Sequence, residues 1–285
     1  MSASESATTI AATPPVTIIR PSSGWSAVNL ADIWAHRELL YFLIWSDLKL
    51  RYKQTSLGAV WAVLQPFLTM VVYSIFLGRL ARVPSDGIPY PIFVYTALVP
   101  WTFFSNALTQ SSLSLIRHER VITKVYFPRL IIPVSAIGGG LIDLGISFVL
   151  LVGIIIYYGI IPGIAILLLP LFVLLATVTA LAVSLWLSAL NVQYRDVRYT
   201  VPFITQVWMF VTPVIYPASL VPERWHVLYG LNPMAGVVEG FRWSLLGQDN
   251  PSIPILLASA SMTLVILIGG LYYFRRMERT FADVV

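Results

Sequence analysis

Lys49, Arg51 and Lys53 occupy every second position of a stretch that also holds Trp45 and Tyr52, just ahead of a long apolar run. Three cations this close offer charge-assisted N–H donors, the chemistry that holds a phosphate or another compact anion. The same cluster also serves as plain attraction to anionic lipid headgroups. The second reactive candidate is Asp143, the one ionisable side chain deep inside an apolar run. A charge there costs roughly 2.5–3.5 kcal/mol on insertion scales, so it must be paired or face a cavity. A proton relay needs a chain of such groups, and no other acid, lysine or histidine lies as deep. The expected role is therefore structural, a hydrogen bond to polar groups of neighbouring helices. Gly138, Gly139 and Gly140, one turn earlier, permit close helix approach or a bend.

The rest of the chain argues against an enzyme. It has no GxxxxGK[ST] phosphate loop, and none of its three lysines follows a glycine. DxD, HExxH and GxSxG are absent, and the carboxylates are scattered singly. There is no cysteine, and His36, His118 and His226 lie far apart, so neither a metal nor a cofactor is expected in this chain.

The elements that must position these residues follow from composition. With 58% hydrophobic and 11% charged residues, the chain carries more apolar surface than one soluble core buries, so the bilayer is part of its solvent. Crossing about 30 Å of hydrocarbon takes roughly 20 helical residues. Apolar runs of that order cover residues 57–78, 92–113, 130–160, 164–190, 201–216 and 253–274, the fifth being the shortest. They are continuous rather than alternating, so helices and not a barrel satisfy the backbone in lipid. The predicted fold is an all-α integral membrane protein with six transmembrane helices, an N-terminal interfacial amphipathic helix and a re-entrant helical hairpin before the last span.

Three regions are expected. Residues 1–24, rich in Ser, Thr, Ala and Pro without a basic start and apolar core, read as a disordered cytoplasmic tail rather than a signal peptide. Residues 25–56 mix aromatic and basic side chains around an apolar block too short to span, which suits a helix lying in the membrane interface. Residues 57–285 form the membrane domain. Within it, 217–250 is too apolar for a solvated loop yet broken by Pro222, Gly230, Pro233, Gly236, Gly240 and Gly247. Two short helices that dip into the outer leaflet and return fit it, the second opening on Asn232–Pro233 with Asn as cap.

Charge tests the span count independently. Six spans with both termini cytoplasmic put Arg20, Arg37, Lys49, Arg51, Lys53, Arg117, Arg120, Lys124, Arg129, Arg195, Arg198, Arg275, Arg276 and Arg279 inside, leaving only Arg79, Arg82, Arg224 and Arg242 outside. That is the positive-inside pattern, and it accounts for the net charge of +5 without a nucleic-acid partner.

Four segments resemble one family. They are WSDLKLRYKQTSLGAVWAVLQP (45–66), HERVITKVYFPRLIIP (118–133), NVQYRDVRYTVPF (191–203), and VTPVIYP running on through VPERWHVLYGLNPMAGVVEGFRW (211–243). In that order they are similar to the transmembrane permease subunit of ABC-2 type exporters of lipid-linked polysaccharides such as O antigen, capsule or teichoic acid precursors. The resemblance spans about 45–274 and implies a homodimer in a bacterial inner membrane. It also implies two copies of a separate nucleotide-binding subunit, which holds the ATP and Mg, and a channel between protomers.

Site roles follow from that resemblance. Arg117, His118, Glu119, Arg120 and Lys124 in the first inner loop are similar to the ATPase-coupling element, with Tyr194, Arg195, Asp196 and Arg198 in the second loop as a lesser contact. Basic residues also hold loops inside whether or not they bind a partner. Lys49, Arg51 and Lys53 become candidates for the diphosphate of the lipid carrier. Trp61, Tyr73, Trp101, Phe103, Phe104, Trp208, Phe210 and Tyr216, on spans one, two and five, become candidates for sugar-stacking walls of the channel, with the rest of such a set facing lipid. Two alternatives stay open: an ABC-2 exporter of a drug or another lipid, and a membrane-embedded enzyme acting on polyprenyl-linked sugars.

Overall fold

The computed structural model describes residues 30–53, 58, 60–125, 127–247, 251–278 and 281. The expected tail over 1–24, the junction at 54–57 and Arg279 lie outside the described residues. Two helices open the chain, α1 (Leu30–Ala35) and α2 (Arg37–Tyr52). Next, α3 (Val60–Tyr73) widens into a π-helix over Ser74–Leu80, where the Ala81 N–H donates to the Phe76 carbonyl at 2.9 Å. Then come α4 (Tyr90–Arg117), the short α5 (Glu119–Lys124), α6 (Ile131–Tyr157), and α7 (Leu169–Gln193) with a 3₁₀ turn over Ile164–Leu168 ahead of it. The chain ends with α8 (Val197–Val211), the one-turn α9 (His226–Gly230), α10 (Pro233–Leu246) and α11 (Ile253–Glu278). There is no strand among the described residues, and the protein is all-α.

Five helical segments are long and apolar enough to cross a bilayer: Val60–Leu80, Tyr90–Arg117, Ile131–Tyr157, Ile164–Gln193 and Ile253–Glu278. They match five of the six expected runs. The run expected over 201–216 becomes α8, whose 15 residues reach about 22 Å at the helical rise. Pro213 is the reason. A residue before proline is pushed out of the helical region, and Thr212 is extended at φ −92°, ψ 144°, so the helix stops while the apolar composition continues. Among the described residues, five helical segments are thus of full spanning length, and a shorter helix occupies the fifth expected run.

The bundle is built around α4. Of its apolar window 78% is buried inside the protomer, against 11–33% for the other four spans. α6 and α7 pack along it, α11 packs on α7, and α10 lies against α4, α7 and α11. Close approach needs small residues at the crossings: a Cβ on Gly240 of α10 would stand 2.2 Å from the Phe172 ring of α7. Interior polar groups pair across helices, as Thr179 does with Thr263 at 3.0 Å and as the Asn191 side chain does in donating to the Ser112 carbonyl at 2.7 Å.

The hairpin region forms the two short helices its sequence called for. Asn232 caps α10 as expected, its side chain accepting from the Met234 N–H at 3.1 Å with Pro233 in the first turn, and Gly247 closes the helix at φ 64°. Asn232 also accepts from the Trp208 indole at 2.9 Å and donates to the Thr212 hydroxyl at 2.9 Å, which ties α10 to the end of α8.

Candidate functional site

The cationic cluster forms the C-terminal turn of α2, and α6 is shaped to receive it. A Cβ on Gly138 would lie 2.7 Å from the tip of Ile44, and one on Gly139 would lie 3.8 Å from an Arg51 guanidinium nitrogen. Across this notch Arg51 forms an ion pair with Asp143, and the Tyr52 hydroxyl donates to the other carboxylate oxygen. Burial first, and then Asp143 itself, push the Tyr52 phenol up to about 12, so it remains an O–H donor. The carboxylate expected to bond to polar groups of neighbouring spans is therefore held by α2, and by a cation. Arg51, expected to meet a diphosphate, already has an anion. Lys49 is exposed with its ammonium 5.5 Å above the Trp45 ring, and Lys53 is exposed just past the helix end.

Asp143 also lines a crevice between α3, α4 and α6, together with Gln65, Thr102, Asn106 and Ser147. The crevice is polar and roomy enough to admit water. Thr102, Ser105, Asn106, Thr109 and Gln110 recur at helical spacing, so they form one stripe down the unburied side of α4 towards Arg117. Exposed amides occur at span depth on three helices only among the described residues: Gln65 on α3, Asn106 on α4 and Gln206 on α8. Over the middle of α6, α7 and α11 (135–155, 172–190 and 256–270), by contrast, Ser261 is the only exposed polar side chain among the described residues. Amides are poorly solvated by hydrocarbon. The α6–α7–α11 surface therefore suits lipid, and the α3–α4–α8 surface suits water or another protein. Sequence reasoning passed over these amides; the available signal was a Gln or Asn interrupting an otherwise apolar run.

The expected channel aromatics divide into two groups. Trp101, Phe103 and Phe104 are 4%, 3% and 0% exposed, since they sit on the central helix, and Phe103 borders the crevice that holds Asp143. Trp101 packs 5.5 Å from Phe104, which meets Trp208 edge-on at 5.2 Å. Trp61 and Phe210 are half-exposed on the amide-bearing side. Tyr73 is partly buried, its hydroxyl 3.9 Å from the Met209 sulfur, and Tyr216 bonds to Tyr229 at 3.0 Å.

The two loops expected to couple to an ATPase leave the same end of the bundle, because Asn191 of α7 bonds to Ser112 of α4. α5 is pinned by Ile122 in a cluster with Leu43 of α2, Phe127 and Phe274, while Glu119, Arg120 and Lys124 remain exposed. Arg117 donates to the Gln110 side chain at 2.6 Å, and the His118 Nε2 lies 3.7 Å from Asp47 of α2. In the second loop Tyr194, Arg195, Asp196 and Arg198 are all exposed, with the Arg198 guanidinium 4.8 Å above the Tyr199 ring.

Arg242, read from sequence as an exception to the charge pattern, is 1% exposed. Its guanidinium donates to the carbonyls of Val214 at 2.8 Å, Tyr216 at 3.3 Å and Phe93 at 3.4 Å, lies 3.6 Å above the Phe93 ring and pairs with Glu239 at 3.6 Å. It locks α10 to the start of α4 and to the turn after α8. It carries no information on sidedness.

Comparison with known proteins adds two findings. The family model described as ABC-2 type transporter matches residues 38–246, from the first turn of α2 to the end of α10. The chain is 29% identical over 257 residues to the O-antigen export system permease protein RfbA of Myxococcus xanthus, covering 89% of this chain and 98% of that one. A protein of the same name from Klebsiella pneumoniae is 28% identical over 254 residues, 87% of this chain and 95% of its own. The inner membrane transport permease YadH of Escherichia coli K12 is 24% identical over 260 residues, 86% and 92% of the two chains.

Proposed function

This chain belongs to the ABC-2 type transporter family, and from that premise we propose that it is the channel-forming subunit of an ATP-driven exporter of undecaprenyl-diphosphate-linked polysaccharide of the O-antigen type. Membership makes it a multi-pass membrane permease rather than an enzyme and implies an ABC ATPase partner. The observation that carries the cargo reading is likeness over nearly the whole length of proteins named O-antigen export permeases.

In this reading two protomers face each other across their α3–α4–α8 surfaces in the bacterial inner membrane. Each rests on an ATPase subunit that supplies ATP and Mg. α8 with the turn to Tyr216 is the sixth crossing, the tail over 1–24 and the C-terminus are cytoplasmic, and residues 25–56 form the interfacial segment ahead of the membrane domain. The exposed amides supply what a moving glycan needs, hydrogen bonds that exchange readily, while Trp61, Phe210 and Tyr216 offer faces to sugar rings. Glu119, Arg120 and Lys124 dock in a groove of the ATPase, so that its closure moves α5 as a rigid body, with Tyr194–Arg198 as a second contact. Lys49, Arg51 and Lys53 receive the diphosphate at the end of α2 that meets α6.

The test is export of a labelled undecaprenyl-diphosphate-linked glycan by vesicles containing this chain, with and without its ATPase partner. Accumulation that needs both partner and ATP is the expected result. No movement of the glycan by assembled, ATP-hydrolysing complexes would overturn the cargo assignment.

A further inference from the structure

We propose that Asp143 stands in for a phosphate: in the unloaded protomer its carboxylate occupies Arg51, and a diphosphate headgroup arriving at Lys49, Arg51 and Lys53 displaces it and so loosens α2 from α6. The inference rests on the reading that the cargo carries a diphosphate.

Carboxylate and phosphate oxygens take the same guanidinium fork, so one anion can replace the other on Arg51 without a new geometry. The site is reachable, because the Arg51 side chain is 24% exposed while that of Asp143 is 11% exposed. Lys49 and Lys53 are exposed near the same end of α2 and add positive potential that draws an incoming dianion, whereas Asp143 brings a single charge. Displacement does not strand Asp143 in hydrocarbon. It faces the crevice shared with Gln65, Thr102 and Asn106.

The release has a mechanical consequence. α2 is seated on α6 by Ile44 in the notch at Gly138 and by Arg51 across Gly139. One turn earlier, Asp47 reaches His118 at the head of α5. A headgroup that lifts Arg51 therefore frees the C-terminal end of a helix that also touches, through Asp47, the turn that carries Glu119 and Arg120. Arrival of cargo is signalled to the ATPase-docking end before the glycan enters the passage.

The test uses the full complex in neutral phosphatidylcholine nanodiscs, with farnesyl diphosphate as probe, farnesol as the uncharged control and inorganic pyrophosphate to separate a lipid headgroup from a free anion. Asp143→Asn keeps the shape and the Tyr52 bond. If the pair is closed about nine-tenths of the time, the substitution should tighten farnesyl diphosphate binding about tenfold and leave farnesol unchanged. The gain should vanish in Arg51→Gln/Asp143→Asn, which should bind like Arg51→Gln alone. An Asp143→Asn complex that assembles normally but binds farnesyl diphosphate no tighter than wild type would overturn the proposal. So would an equal gain in the Arg51→Gln background, which would mark a general field effect, or a gain confined to pyrophosphate. Wild-type complex with no preference for farnesyl diphosphate over farnesol would instead sink the diphosphate cargo reading, and this inference with it.

Discussion

Replacing Arg242 by Met tests whether one buried cation holds α10, the start of α4 and the turn after α8 together. Methionine fills most of the same space, so the change removes charge and donors more than volume. Three carbonyls, those of Phe93, Val214 and Tyr216, lose their donor, and Glu239 loses its counter-ion. Each unsatisfied buried group costs about 1–3 kcal/mol, and contact with the Phe93 ring adds about 0.5–2 kcal/mol. Part of this is offset because a guanidinium no longer has to be desolvated. The net loss expected for one partner of a buried pair is about 3–5 kcal/mol. For a chain of this size that corresponds to a fall in melting temperature on the order of 10 °C. The assay is thermal unfolding of the detergent-solubilised protein at one scan rate, since unfolding of membrane proteins is often a rate rather than an equilibrium. Arg242→Lys should recover part of the loss through one of the three carbonyls. Adding Glu239→Gln to Arg242→Met should also recover part, by removing the orphaned carboxylate. A Met variant that melts within about 2 °C of wild type, well short of that expected fall, would refute the claim that these bonds hold α10 to α4 and to the turn after α8.

Two further outcomes follow from the geometry. Glu119→Ala/Arg120→Ala removes exposed side chains of α5 while Ile122 stays in its cluster, so the complex should assemble and hydrolyse ATP but lose most export; normal export would remove the coupling assignment. Asn106→Leu and Gln206→Leu should each cut glycan export severalfold with assembly intact, whereas Leu174→Gln on the lipid-facing side of α7 should lower membrane yield instead; equal effects at all three positions would dissolve the distinction between the two faces.

The positions of the long helices were legible in the sequence because a bilayer imposes one length and one composition on whatever crosses it. Asn232–Pro233 and Gly247 were legible as punctuation for the same local reason. What could not be read was which helix stands in the middle. The aromatics of α4 looked like a channel wall, yet α4 is the helix that the others enclose. A clue was present: α4 has a mean hydropathy of 1.2, the lowest of the five spans, while α7 reaches 2.7 together with its 3₁₀ lead-in. Contact with lipid demands apolar side chains, and contact with other helices does not. The Arg51–Asp143 pair joins residues 92 positions apart and Arg242 reaches Phe93 across 149, distances at which local pattern carries no information. Thr212–Pro213 could have shortened the fifth run, since the restriction that proline places on its predecessor is local.

The low apolarity of α4 also sets an order of events during synthesis. This segment emerges second, after α3, and taken alone it is the span that lipid solvates least well. Ser111 and Ser112 meet their partners, Pro133 and Asn191, only once α6 and α7 have followed α4 out of the ribosome. Commitment of the second crossing to the bilayer is thus completed by the third and fourth, and a nascent chain halted before α7 would hold its future core on the outside of an unfinished bundle. The helix around which the finished transporter is organised is the one that must wait for its neighbours.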